Sequence, residues 1–166
     1  MKSQPNRDYK SDDNVMTPLP LCKEIINYLK PTGKILEPFK GTGNFLKACP
    51  GMIYCEMEEN KPFEDFNDKV DWIITNPPWS KVKLMLEKSC QVSNKHIVFL
   101  ITVNHVFTKA RIRLTDGYNF KLKEILYIDT PKEFPQMGFQ LGVIHWERDY
   151  SGLVYIGRLS NGNNRI

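Results

Sequence analysis

The segment that most constrains the fold is a short apolar run, residues 70–75, which leads directly into Asn76-Pro77-Pro78-Trp79. A run of this length and composition predicts a buried strand. Proline has a fixed φ and no backbone N–H, and it also keeps the preceding residue out of the helical region. The strand must therefore stop pairing at Asn76, and the chain must continue as a rigid, extended turn.

This turn brings two hydrogen-bond acceptors and an aromatic ring together. The side-chain oxygen of Asn76 and the carbonyl of Pro77 can point the same way, and two convergent acceptors suit an –NH2 group, which has two donors. Trp79 offers a face for stacking, an interaction worth about 1–3 kcal/mol per base in nucleic-acid sites. The turn therefore favours a planar ring that carries an exocyclic amine. The structural alternative is a strand-terminating turn with a packed tryptophan.

A glycine-bearing loop lies upstream of this turn. Residues 35–37 predict a short strand, and residues 38–43 (Pro-Phe-Lys-Gly-Thr-Gly) follow it. Glycine permits positive φ and close approach to a ligand, so a strand, a glycine loop and a helix start together form a nucleotide-type binding turn. The loop is neither the six-residue dinucleotide fingerprint nor a P-loop. Glu37 would repel a phosphate, and it suits a ligand with an amino group and hydroxyls.

Acidic residues follow the loop at two further points. Residues 52–55 predict a second short strand that ends at Glu56, where an acid commonly binds ribose hydroxyls. Asp65 and Phe66 then precede the strand that leads to Asn76. A single acid here would be an ordinary surface residue, but the four features in this order indicate a nucleotide-type ligand.

With these residues the chain resembles the S-adenosylmethionine-dependent adenine-N6 (amino) methyltransferases. The order of the motifs, cofactor loop first and Asn-Pro-Pro-aromatic later, is similar to the gamma arrangement of DNA adenine methyltransferases. The resemblance covers residues 16 to about 105 motif by motif. It implies S-adenosylmethionine as the cofactor and methyl transfer to the exocyclic amino nitrogen of adenine in DNA. The 166 residues are expected to hold no target-recognition domain of the kind that sequence-specific members of this family carry.

The resemblance assigns roles position by position. Thr17 matches a threonine near the methionine end of the cofactor, Glu37 the acid near its amino group, and Glu56 the acid on the ribose. Asp65 matches the acid on the adenine amino group, with Phe66 beside it. The full cofactor set is Thr17, Glu37, Pro38, Phe39, Gly41, Gly43, Glu56, Asp65 and Phe66. The catalytic set is Asn76, Pro77, Pro78 and Trp79.

Candidate substrate contacts lie further along the chain. His105 follows a continuous apolar run, residues 96–103, at the strand end where ligands bind in open α/β sheets. The stretch 107–123 is rich in lysine and arginine, which suits phosphate, although a solvated basic surface is the alternative. Phe139 or Phe134 could supply a second ring against the base. The substrate candidates are His105, Lys109, Arg111, Arg113 and Phe139.

Alternating strand and helix patterns predict an α/β fold, a three-layer sandwich with a mostly parallel, Rossmann-like sheet of the class I methyltransferase type. Thr17 is expected to cap a first helix, with Pro18 at its first position. A helix after the glycine loop must be short, and later helices are expected at 80–92 and 106–114. Residues 139–146 and 153–157 predict a C-terminal antiparallel hairpin. Residues 1–15 are expected to be a flexible arm and 16–166 one catalytic domain.

Composition and charge narrow the classes of partner. The net charge is +4 and the pI about 8.8, which is compatible with nucleic acid, DNA first and RNA second. The four cysteines form no Cys-x-x-Cys pair, so we expect reduced thiols and no metal site. No apolar run reaches the roughly 18 residues that span a membrane, and no secretory signal begins the sequence. These features predict a cytoplasmic protein with no membrane partner.

Two other functions remain open from the sequence. Asn-Pro-Pro-aromatic also occurs in enzymes that methylate amino groups of adenine or guanine in RNA, or glutamine side chains in proteins. A non-catalytic subunit with the same fold, which binds nucleic acid or a partner, is the second alternative. A protein that acts on DNA without a recognition domain is expected to be weakly sequence-specific or to use a separate specificity subunit as partner.

Overall fold

The computed structural model describes residues 15–136 and 138–159, so nearly all of the predicted N-terminal arm lies outside the described residues. Within these ranges seven strands form one sheet in the order β2-β1-β3-β4-β6-β5-β7. The strands are β1 (Ile35–Glu37), β2 (Ile53–Tyr54), β3 (Val70–Thr75), β4 (Ser93–Thr102), β5 (Phe120–Tyr127), β6 (Leu141–Arg148) and β7 (Tyr155–Arg158). The α-helices are α1 (Leu19–Leu29), α2 (Asn44–Ala48), α3 (Val82–Val92) and α4 (Lys109–Gly117).

Helices cover both faces of the sheet, which confirms the predicted three-layer α/β sandwich. The central strand β4 shows the reason, because its side chains alternate between the faces. Phe99 and Ile101 belong to the apolar cluster that contains buried residues of α3. Val98 and Leu100 belong to the opposite cluster, which contains buried residues of α1. A strand buried on both faces is largely apolar, as residues 97–101 are.

The predicted antiparallel pairing near the C-terminus is present, but β5 and β6 form it rather than residues 139–146 and 153–157. β6 runs antiparallel between β4 and β5, whereas β7 pairs in parallel with β5 at the edge of the sheet. The expectation that residues 139–146 pair with 153–157 was therefore wrong. Residues 141–146 are all buried, which requires a neighbouring strand on each side, while Tyr155 and Ile156 are exposed as in an edge strand.

Two helix starts also differ from prediction. α1 begins at Leu19, its N-cap position is Pro18, and no side chain caps it, so the expected capping role of Thr17 was wrong. α4 begins at Lys109 rather than residue 106, because Val103–His105 form a 3₁₀ turn first. The predicted short helix after the glycine loop is confirmed by α2, which has five residues. No helix within 15–136 or 138–159 is long and apolar enough to cross a bilayer.

The strand order positions the candidate site. β1 and β3 are parallel neighbours, with Leu36 in register with Ile73. Their carboxyl ends therefore meet at one edge of the sheet, and ligands bind at this edge in open α/β sheets. Glu37 ends β1 there, and Thr75 ends β3 immediately before Asn76.

Candidate functional site

Glu37 and Thr75 contact each other at this edge of the sheet. The Thr75 hydroxyl donates a hydrogen bond to Oε1 of Glu37, and the Phe39 N–H donates to the same oxygen over 3.0 Å. Glu37 is only 2% exposed. Burial raises the pKa of its carboxyl to about 8, although the two hydrogen bonds act in the opposite direction. The free protein therefore holds a largely neutral acid here at pH 7, and a cation placed beside it would favour ionisation.

The glycine loop is held by the side chain of Glu56, which lies two residues beyond the end of β2. Gly41 and Gly43 have φ values of +49° and +73°, which favour glycine. The N–H of Gly41 donates to Oε2 of Glu56 over 2.9 Å. A Cβ on Gly41 would lie 2.5 Å from the Sδ atom of Met16, so the loop also packs closely against the segment that precedes α1.

The Asn76 side chain is oriented by hydrogen bonds from both ends of its amide. Its Nδ2 donates to the carbonyl of Val15 over 2.9 Å, and its Oδ1 accepts from Nε1 of Trp79 over 3.2 Å. The Trp79 Nε1 also lies 3.3 Å from the carbonyl of Leu100. An amide oxygen has two lone pairs, so Oδ1 of Asn76 retains the capacity to accept a second hydrogen bond.

Two adjoining cavities lie between the glycine loop and the Asn-Pro-Pro-Trp turn. The larger, of about 330 Å³, is lined by Gly41, Thr42, Glu56, Asn76 and Pro78 among others. The smaller, of about 30 Å³, is lined by Thr17, Glu37, Asn44 and again Asn76. The larger volume is in the range typical of small-molecule sites, and acids line both cavities.

Thr17, which lines the smaller cavity, carries an unsatisfied hydroxyl. Its Oγ1 is buried and has no hydrogen-bond partner within the described part of the chain. The residue is 6% exposed, and it no longer has a helix-capping role that would account for its hydroxyl. A buried, unpaired hydroxyl costs roughly 1–3 kcal/mol, so a ligand that bonds to it would recover that energy.

Not every residue of the predicted cofactor set lies at these cavities. Pro38 is buried beneath the loop, and Phe39 lines both cavities. Asp65 is exposed at the end of a 3₁₀ turn, and Phe66 packs against the core beneath α3. Neither Asp65 nor Phe66 lines either cavity, so their role at the adenine end stays a prediction.

The predicted substrate residues are spread over the surface beyond β4. His105 is half-buried, and its carbonyl accepts a hydrogen bond from Nη1 of Arg111 over 3.1 Å. Burial and then the Arg111 charge lower the pKa of the His105 imidazole. Lys109, Arg113 and Phe139 are exposed.

Phe134, the second candidate for the base-contacting ring, is buried. Its ring centroid lies 6.0 Å from that of Trp79, with a tilt of 37° between the two planes. Phe134 therefore supports Trp79 from behind its ring, and it offers no exposed face of its own.

Several cavity residues were missed by sequence reasoning. Val15 and Met16 had been placed at the boundary of a flexible arm, yet Val15 accepts from Asn76 and Met16 packs on Gly41. The Asn44 side chain donates to the Thr17 carbonyl over 2.9 Å. Thr75 carried a usable signal, since it is the one hydroxyl residue in the apolar run 70–75 and it lies beside Asn76.

No family model and no curated protein matches the sequence. Solved structures do match. A Listeria monocytogenes protein, provisionally assigned as a class I S-adenosylmethionine-dependent methyltransferase, aligns over 95% of this chain and 70% of its own, with 12% identity and TM-score 0.64. The M protein of the type I restriction enzyme EcoKI aligns over 82% and 44%, with 16% identity and TM-score 0.61. A provisionally assigned RNA methyltransferase of Pyrococcus horikoshii aligns over 81% and 83%, with 14% identity and TM-score 0.56.

These likenesses show that the chain has the class I methyltransferase fold. The three proteins differ in the substrates that their descriptions imply, and the identities are low. The chain spans less than half the length of the EcoKI M protein.

Proposed function

We propose that this protein is an S-adenosylmethionine-dependent N-methyltransferase that acts on the exocyclic amino nitrogen of adenine in DNA. The observation that carries the proposal is the position of Asn76, whose oriented side chain lines both cavities between the glycine loop and the Asn-Pro-Pro-Trp turn. An amine acceptor and a nucleotide-type pocket thus adjoin each other. The class I fold supports the same chemistry.

The residues around the smaller cavity fit the amino-acid end of S-adenosylmethionine. That cofactor, when bound, supplies a methyl group on a positively charged sulfur. The orphaned Thr17 hydroxyl and the buried Glu37 carboxyl suit a carboxylate and an ammonium group, respectively. The positive-φ glycine loop allows close approach, and Glu56 lies at the larger cavity to accept from ribose hydroxyls.

In the proposed mechanism the protein holds the substrate amine and supplies no covalent intermediate. The second lone pair of Asn76 Oδ1 and the Pro77 carbonyl accept from the two N–H groups of the amine. This pairing favours a more pyramidal nitrogen, whose lone pair is then available for attack. Trp79 holds the ring by stacking, with its indole N–H fixed on Asn76 and Leu100. The catalytic contributions are therefore positioning and electrostatic stabilisation.

DNA is proposed as the polymer on two grounds, positive surface charge and similarity in fold, and the target base must also be accessible. The exposed Lys109 and Arg113 on α4 provide positive charge for phosphate contacts. The base must leave its stack to reach Asn76, which requires flipping or a single strand. The similarity in fold to the M protein of a type I restriction enzyme adds support, and it suggests a separate specificity subunit as partner.

The substrate is tested by transfer of labelled methyl groups onto DNA, RNA and protein, followed by analysis of the modified nucleoside or amino acid. We expect label in DNA as N6-methyladenine, with more on single-stranded or mismatched DNA than on perfect duplex. Label found only in RNA or in glutamine would contradict the DNA proposal. It would still support the assignment of the protein as an amino-methyltransferase. Cofactor binding by calorimetry without transfer to any polymer would favour the non-catalytic subunit.

The glycine loop gives a prediction with a matched control. Gly41 and Gly51 both have positive φ, but a Cβ on Gly51 meets nothing within 4 Å. Gly41→Ala and Gly51→Ala should each cost about 1–2 kcal/mol in the free energy of unfolding, measured with urea. Only Gly41→Ala must also displace the Met16 side chain, which lines the larger cavity. We therefore expect calorimetry to show cofactor affinity reduced at least about tenfold for Gly41→Ala alone; equal affinities would place the cofactor elsewhere.

A further inference from the structure

A cluster of buried polar side chains lies in the sheet away from the candidate site. His96 is near the start of β4, whereas Thr75, which leads to Asn76, pairs with Phe99 further along that strand. His145 and Glu147 lie on β6, where Glu147 is in register with His96 and His145 with Val98. Antiparallel pairing of β4 and β6 therefore brings two imidazoles and a carboxylate to one end of the sheet.

The side-chain atoms of this cluster converge on a common point. Nδ1 of His96 lies 3.0 Å from Nε2 of His145 and 3.8 Å from Oε2 of Glu147. One donor atom from each residue lies within 4.8 Å of the others. His145 is 2% exposed and His96 8%, so the imidazole nitrogens face each other out of bulk water.

The orientation of His145 is fixed by a second layer of contacts. Its Nδ1 lies 2.9 Å from Oε1 of Glu124, and the Tyr28 hydroxyl donates to the other oxygen of that carboxylate over 2.9 Å. A carboxylate on Nδ1 keeps the imidazole proton there, so the Nε2 lone pair is directed at His96. Metal-ligating histidines almost always have such a carboxylate or carbonyl on the other nitrogen. The Trp72 ring, stacked 3.8 Å from the His96 ring, fixes the second imidazole.

We propose that His96, His145 and Glu147 form a binding site for a divalent transition metal of the zinc class. Two imidazoles and one carboxylate are a common zinc ligand set, with Zn–N distances of about 2.0–2.1 Å. Nitrogens 3.0 Å apart can both reach such an ion, with an N–Zn–N angle of about 94°. A separation wider by about 0.3 Å gives the tetrahedral angle, and both rings must also turn so that their lone pairs meet at the ion instead of along the hydrogen bond between them.

A metal ion at this site would compete with the proton of a hydrogen bond between the two histidines. Without a metal, Nδ1–H of His96 donates to Nε2 of His145, and Lys123 pairs with Glu147. Metal binding at Nδ1 of His96 would shift that ring's proton to Nε2 with no net proton release, and it would exchange the Lys123 ion pair for a bond to the carboxylate. The expectation of no metal site rested on cysteine spacing, whereas these two histidines are 49 residues apart and only the β4–β6 register joins them.

The site is tested on the full chain, free of any affinity tag and stripped with a chelator, by calorimetric titration with ZnCl2. We expect one zinc per chain and a rise in the thermal midpoint of about 5–10 °C at about 100 times the Kd. His96→Gln and His145→Gln should each weaken zinc binding at least about 100-fold. His105→Gln is the matched control, because His105 is the one histidine of the sequence that lies outside the proposed site. The zinc affinity of this variant should equal that of the wild type.

Two spectroscopic measurements identify which side chains bind the metal. Cobalt binding should show no thiolate charge-transfer band, because the site contains no cysteine. Zinc should shift the ring resonances of two histidines in the NMR spectrum of the wild type. If the histidine variants fail to fold by circular dichroism, the partly exposed Glu147→Gln replaces them and should weaken binding about tenfold or more. Unaltered histidine resonances, a thiolate band, or wild-type affinity in a folded variant would each overturn the proposal.

Discussion

Replacement of Asn76 by alanine is expected to lower methyl transfer by about 10²- to 10³-fold while the cofactor still binds within about fivefold of wild type. The variant removes the only side-chain oxygen of the Asn-Pro-Pro-Trp turn and keeps the Glu37 and Thr17 side chains, which line the smaller cavity together with Asn76. Single-turnover methylation of the best polymer substrate measures the first quantity, and calorimetry measures the second.

Asn76→Asp separates acceptance from donation at the same position. The aspartate keeps an oxygen for the amine and for Nε1 of Trp79, but it cannot donate to the Val15 carbonyl as Nδ2 of Asn76 does. If acceptance is the catalytic function, the aspartate variant should retain at least about ten times the activity of the alanine variant. Asn94→Ala, an exposed change near the start of β4, is the control and should leave the rate unchanged. Unchanged methylation by Asn76→Ala would sink the assignment of the turn.

Much of the fold could be predicted because its strands have strong local signals. The apolar run 96–103 requires burial on both faces, and the prolines at 77 and 78 end β3 where the structure ends it. The glycine loop and the Asn-Pro-Pro-Trp turn could be placed at one edge for the same reason, since parallel strands share their carboxyl ends.

The errors arise where pairing partners are not encoded locally. Residues 153–157 have an ordinary strand composition, and nothing nearby specifies β5 rather than β6 as their neighbour. Thr17 followed by Pro18 satisfies the rules for a helix cap, but Thr17 instead lines the smaller cavity, and its buried hydroxyl has no partner among the described residues. In that case the local sequence predicted a helix cap, whereas the tertiary structure places Thr17 at the candidate site.

Glu37→Gln is expected to reduce cofactor affinity about 10- to 100-fold at pH 8 and, at the same pH, to stabilise the free protein. Glutamine has the same shape, and its Oε1 can still accept from Thr75 and from the Phe39 N–H. The change therefore removes the ionisable group and keeps the packing. A carboxyl that existed only to hold the fold would give no such opposite effects.

The stability effect has a defined sign and pH window. The ordinary pKa of the Glu37 carboxyl is 4.5, and burial raises the pKa in the folded protein to about 8. Between these values the folded state retains a proton that the unfolded chain has lost, so the free energy of unfolding falls as pH rises through this range. Glu37→Gln cannot lose that proton. We expect equal stability below pH 4.5 and a gain of roughly 4–5 kcal/mol at pH 8 and above, measured with urea.

Cofactor binding should favour the ionised form of Glu37, which burial disfavours in the free protein. An ammonium group beside Glu37 stabilises the carboxylate, so binding to the wild type should strengthen relative to the glutamine variant as pH rises from 6 to 8. The amino group of the ligand titrates equally with both proteins, so the difference between their affinities isolates Glu37. Glu64→Gln, at an exposed acid that lines neither cavity, should behave as wild type in both measurements. Parallel affinity curves for Glu37→Gln and wild type would remove Glu37 from the ligand site, even if the stability difference were found.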